Sequence, residues 1–149
     1  MAIARGAGTE IIRSIFLEDL TSTGRVLIYG EAHHIYTVLS ITCFAATIQA
    51  DGNYVSCFLT GYDSSGGTTG QSINLFQNDM SSKQTFVWND KFSFNGNEPT
   101  DFTGPVDDAA KQNALADQAQ ATTQSLYIGT EHASDGFDII CTFIDQNNA

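Results

Sequence analysis

The residue types best suited to chemistry cluster at Glu31-Ala32-His33-His34. In an extended segment Glu31 and His33 share one side and His34 points the other way, because side chains alternate along a strand. Carboxylate and imidazole are metal ligands, but a site needs three or four such groups converging at about 2 Å from the ion. The third histidine, His132 beside Glu131, is the available distant partner. Glu31 and His33 are thus the metal candidates. Against them stands the plainer expectation that the histidines pack at the entry to a strand, and that no metal or cofactor is bound.

Other constellations offer less. Glu18-Asp19 and Asp107-Asp108 are adjacent pairs. Adjacent carboxylates diverge on a strand or splay on a helix, so they lack the convergence that acid and base catalysis requires. No Ser-His-Asp or Cys-His arrangement can be assigned from three histidines of which two are contiguous. The loop Asp63 to Ser72 (DSSGGTTGQS) is glycine-rich but matches neither GxGxxG nor GxxxxGK[ST]. Cys43, Cys57 and Cys141 lie in strand-like runs without CxxC spacing, so buried free thiols are expected rather than a disulfide or zinc site. The chain is expected not to be an enzyme.

Composition narrows the partners. The 149 residues carry six Lys plus Arg against 17 Asp plus Glu, a formal net charge of -11. Such a surface repels nucleic-acid phosphates and anionic membranes unless a basic patch intervenes, and Arg5, Arg13, Arg25, Lys83, Lys91 and Lys111 are scattered. No run approaches the roughly 20 apolar residues of a membrane span, and MAIARGAGTE lacks the apolar core of a secretory signal. Neither nucleic acid nor membrane is expected as a partner, and the chain is expected to be made and kept soluble in the cytoplasm. With 42% hydrophobic residues, ten Phe and five Tyr, it can bury a core as one domain over 1–149.

The elements that would hold these residues are strands. Ile35 to Tyr62 reads as a long antiparallel hairpin about Asp51-Gly52, with Ile35, Leu39, Ile41, Cys43 and Ala45 on one side and Tyr36, Val38, Phe44 and Ile48 on the other. Before it, Glu10 to Asp19 and Arg25 to Tyr29 are strands, and Met1 to Thr9 is an extended arm. After it come a short strand at Ser72 to Gln77, one continuous strand at Thr85 to Phe94, and a loop at Asn95 to Pro105. A short helix follows within Val106 to Gln124, capped by Asp107 or Asp108. Ser125 to Thr130 and Phe137 to Ile144 form a closing hairpin. Expected core residues are Ile41, Phe44, Phe58, Phe86, Trp88, Phe92, Phe94, Ile139 and Phe143. Trp88, with Tyr54, Tyr62 or Tyr127, would instead be a sugar-stacking platform if exposed. The fold class expected is all-β, a jelly-roll-like antiparallel β-sandwich with one short helix.

ARGAGTEIIRS, HHIYTVLSI, FVWNDKFSFNG and CTFIDQNN together resemble small virion structural proteins of tailed bacteriophages, a likeness over essentially the full length. The resemblance implies a β-sandwich present in many copies in the virion. It would be a capsid decoration (cement) protein, with a trimer at threefold positions favoured, or a neck, tail or baseplate component. Partners would be copies of itself and the major capsid or other virion proteins. Arg5, Gly6, Gly8, Gly66 and Gly67 are the candidate contacts, from the arm and the glycine-rich loop. A carbohydrate-binding module is the alternative from another class.

Overall fold

Runs rich in Ile, Val, Thr, Phe and Tyr suit a pleated, half-buried surface, and they form the strands of the computed structural model. It describes residues 9–21, 24–63, 68–99, 107–110 and 121–147. The strands are β1 (Thr9–Leu20), β2 (Arg25–Ile28), β3 (His34–Thr47), β4 (Tyr54–Asp63), β5 (Thr68–Asp79), β6 (Thr85–Trp88), β7 (Phe92–Asn95), β8 (Asn97–Pro99), β9 (Ala121–Thr123), β10 (Ser125–Thr130) and β11 (Gly136–Asn147). One sheet has the order β1-β11-β3-β6, with β7 on the same side of β3 as β6. The other has the order β2-β10-β4-β5, and β8 pairs with β9 apart from both. With β6 and β7 counted as one interrupted strand, this is the order of a jelly roll, as expected.

Two expected hairpins are not hairpins. β3 and β4 lie in different sheets, and so do β10 and β11. The Asp51-Gly52 turn does form, with Gly52 at φ 95° and the Asn53 amide donating to the Ala50 carbonyl at 3.2 Å. It belongs to an arch over 48–53 that crosses from one sheet to the other. A turn dipeptide bends the chain equally well in either case, so sequence cannot separate a hairpin from an arch. Four arches, β1 to β2, β3 to β4, β5 to β6 and β10 to β11, gather at one end of the sandwich, because Leu20, Ala45 and Phe137 are cross-strand neighbours there. Buried Asp135 ties two of them, accepting from the Gln49 amide at 2.8 Å and from Asn53 Nδ2 at 3.0 Å.

The faces of β3 also depart from simple alternation. Thr142 pairs with Ser40 but Phe143 with Val38, so one extra β3 residue is accommodated near Leu39. This bulge flips the parity: Tyr36 and Val38 face the core on one side of it, Ile41, Cys43 and Ala45 on the other. The expected continuous strand Thr85 to Phe94 is broken at 89–91 for the same reason. Its two halves pair with Ile41–Phe44 and Ile35–Val38, and slack is needed opposite the bulge. The even-numbered aromatics still line up, with ring centroids of Trp88 and Phe92 5.6 Å apart and of Phe92 and Phe94 5.9 Å apart.

Of the expected core, Ile41, Phe94, Ile139 and Phe143 are buried, and Phe86, Trp88 and Phe92 are partly buried against them. Phe44 and Phe58 are not core. They follow Cys43 and Cys57, which point inward, so each projects from an outer sheet face: Lys83 Nζ lies 5.9 Å from the Phe44 centroid, and Phe58 stacks on Tyr127. Asn97–Pro99, expected as loop, pairs with Ala121–Thr123, the end of the expected helical span. Ala109 and Ala110 are helical, and 111–120 lie outside the described residues. Phe76 closes one flank of the sandwich by reaching from β5 to Phe86 and Trp88, with centroids 5.2 and 5.3 Å apart.

Candidate functional site

Among the described residues the opposite flank, between β1 and β2, stays open. A cleft of about 300 Å³ there is lined by Arg13 and Ile15 of β1, Leu27 and Ile28 of β2, and by Tyr36 and Phe143. Its rim carries a polar network. Asp145, on β11 and 1% exposed, accepts from Arg13 Nη1 at 3.0 Å and lies 2.6 Å from His34 Nδ1. His34 Nε2 is 3.5 Å from Glu31 Oε2. The Arg13 guanidinium also lies over the Phe143 ring at 5.7 Å. Burial above all, then the Asp145 and Glu31 carboxylates, push the Tyr36 hydroxyl up to about 12.

Each group is placed by its element. Arg13 lies on the inward face of β1 at the sandwich rim, where its stem covers apolar surface and its head reaches water. The turn before β3 closes with the His34 amide donating to the Glu31 carbonyl at 3.3 Å, and His33 takes a left-handed φ of 65°. Glu31 and Asp145 flank His34, one at each ring nitrogen. His132 and Glu131 sit at the arch end, the far end of the strands from Glu31, so they cannot complete a set. Among the described residues no three His, Cys, Asp or Glu side chains are grouped to hold a metal ion.

Both ring nitrogens of His34 face carboxylates. Cys43, Cys57 and Cys141 are fully buried free thiols. Burial raises all three, Cys43 and Cys141 to about 12, with neighbouring thiols adding to the shift of Cys43 and Cys57. A thiol held neutral is a poor nucleophile.

Arg5, Gly6, Gly8, Gly66 and Gly67 lie outside the described residues, as does the arm over 1–8, and Thr9 already belongs to β1. Trp88 has Phe76 and Phe92 against it. Tyr127 is half-buried against Phe58, with centroids 5.3 Å apart and planes 4° apart; Tyr54 is half-buried, and the Tyr62 side chain lies outside the described set. Asp145 and Asp135, the two buried acids that organise opposite ends of the sandwich, had no distinguishing signal beyond an acid at an inward position or in a turn.

No family model and no curated protein matches this chain. Solved structures do. A chain from Bacillus endospore appendages, described as a novel family of disulfide-linked pili, aligns over 100% of this chain and 97% of its own, at 14% identity and a TM-score of 0.42. VP2 of infectious bursal disease virus in a subviral particle aligns over 99% of this chain and 39% of its own, at 8% identity and a TM-score of 0.41. This chain spans well under half of that virus protein. The neighbours belong to a pilus and to viral particles, and at these values no role passes from either.

Proposed function

We propose that the protein is a structural subunit that acts in many copies, and not an enzyme. The observation that carries this reading is the pair of long outermost strands. β1 and β5, each 12 residues, end their sheets. A long outermost strand offers backbone groups for pairing with another chain, a hazard that proteins working alone suppress with short, charged or covered edges. The polar network at β1 supports the same role, because it fixes an outer strand in place without leaving a reactive group. Thiols do not join the copies, since Cys43, Cys57 and Cys141 are all buried.

Within this role we place the protein on a phage particle as a capsid decoration (cement) protein, trimeric, touching the major capsid protein and located in the virion. Electron microscopy of a purified particle tests the placement: density on the shell is the expected result, and density only in the neck, tail or baseplate assigns it there instead. Deleting Met1 to Thr9 tests the arm, because extended arms add strands to neighbours. Loss of particle binding by a folded, truncated chain is expected, and full decoration by it refutes the arm. A sugar-binding role has the outward Phe58–Tyr127 stack in its favour, and silence across a glycan array removes it.

A further inference from the structure

The outer face of the β1-β11-β3-β6/β7 sheet carries a surface that the network and the cleft do not use. Phe16, Ile140, Thr42 and Val87 stand directly opposite one another across β1, β11, β3 and β6. Phe16 is 57% exposed, Val87 48% and Ile140 43%. A second row, Ile12, Ile144, Thr37 and Ser93, runs parallel to it, with Ile12 71% exposed. Between them Ser14 and Thr142 share a hydroxyl hydrogen bond of 3.1 Å, and within the second row Thr37 and Ser93 share one of 2.8 Å. These four hydroxyls are paired with each other, which lowers the cost of taking them out of water.

We infer that this face packs against the same face of a second copy, a contact that rests on the assembly reading above and names where it occurs. Charge selects the occupant. In a chain of net charge -11, none of the residues in these rows is charged. Charged side chains border them, with Glu10 and Glu18 along β1, Asp138 opposite Phe44, Lys83 over the Phe44 ring, and exposed Asp90 and Lys91 in the break between β6 and β7. Two copies repel almost everywhere else, whereas a basic partner would be drawn to the acidic surface and away from here. Size is adequate. Four strands at about 4.8 Å spacing, over the length from Glu10 to Glu18 at about 3.3 Å per residue, give a face on the order of 500 Å² per copy. Two such faces bury about 1,000 Å², where specific interfaces begin. A two-fold contact brings each patch against itself, with the sheets about 10 Å apart.

The experiment is the native mass of the full chain by light scattering, beside the variant F16E/I140E. Both substitutions point outward, and unchanged circular dichroism with unreactive native thiols reports that the fold is kept. The expected result is that the variant has half the mass of the unsubstituted chain, a trimer where the two-fold contact joins two trimers, because charges then oppose each other across the contact. A Ser14→Cys chain, treated with a flexible bismaleimide long enough to span the roughly 10 Å between the sheets, is expected to cross-link as a dimer, and a Ser72→Cys chain on β5 is not. An unchanged mass in F16E/I140E, or no cross-link through Ser14→Cys, overturns the inferred face while an assembled wild type leaves the assembly reading intact. A wild type that is monomeric at all concentrations and absent from particles removes both. A wild type that binds only a foreign protein through this face, or covers it with its own residues 1–8, overturns the inference as well.

Discussion

Asp145 concentrates the largest single-residue effect. It is nearly sealed from water yet holds Arg13 and His34, so Asp145→Asn leaves the Arg13 guanidinium without its carboxylate. Since Arg13 can turn toward solvent, the cost falls below that of a fully buried pair, about 2–3 kcal/mol in urea unfolding. The three thiols set a second expectation. Folding keeps Cys43 and Cys141 neutral from the ordinary 9.0 up to about 12. The stability this provides is complete below pH 9 and is lost as pH rises from 9 toward 12, because the unfolded chain ionises first. Each thiol contributes a slope of about 1 kcal/mol per pH unit there, and Tyr36 adds its own above 10. Alkaline unfolding is expected within that window, and thiol reagents should find no reactive cysteine below it. The burial of these cysteines was legible from their setting in apolar runs. The placing of His34 between two carboxylates was not, because Asp145 lies 111 residues further along the chain.

Elements show where glycine is obligatory. A side chain on Gly30 would run into the carbonyls of Gln124 and Gly96, and one on Gly96 into the backbone of Glu31. These chains cross backbone to backbone at the end opposite the arches. A Cβ on Gly52 meets nothing within 4 Å, although its φ is 95°. Gly52→Ala should therefore cost about 1 kcal/mol, the left-handed penalty alone, and Gly96→Ala about 3 kcal/mol or more, since backbone must move. Equal melting temperatures for the two variants would contradict this account. At the same scale the strands themselves were readable: β1, β2, β10 and β11 fall close to their expected positions, and β1 shows the expected alternation. Their partners were not. Register and sheet membership depend on contacts such as Thr9 with Asn147, which no local pattern encodes, and the bulge near Leu39 overturns the parity of β3 without altering its composition.

For the whole molecule, fold class followed from periodicity and the scarcity of helix formers outside 106–124, whereas the open flank and the uncharged sheet face emerge only once strands are placed side by side. Two flanks that look equivalent in outline differ in filling: rings seal one, and a cleft with a bound guanidinium marks the other. The order of the first sheet also bears on how the molecule comes into being. β11, the strand nearest the carboxyl end, lies between β1 and β3. On the ribosome β1 and β3 emerge long before the segment that joins them, so neither can settle until β11 has been made. Pairings this remote in sequence slow folding, and for that interval the apolar sides of both strands are open to other nascent chains. A subunit built to meet copies of itself must therefore avoid meeting them too early.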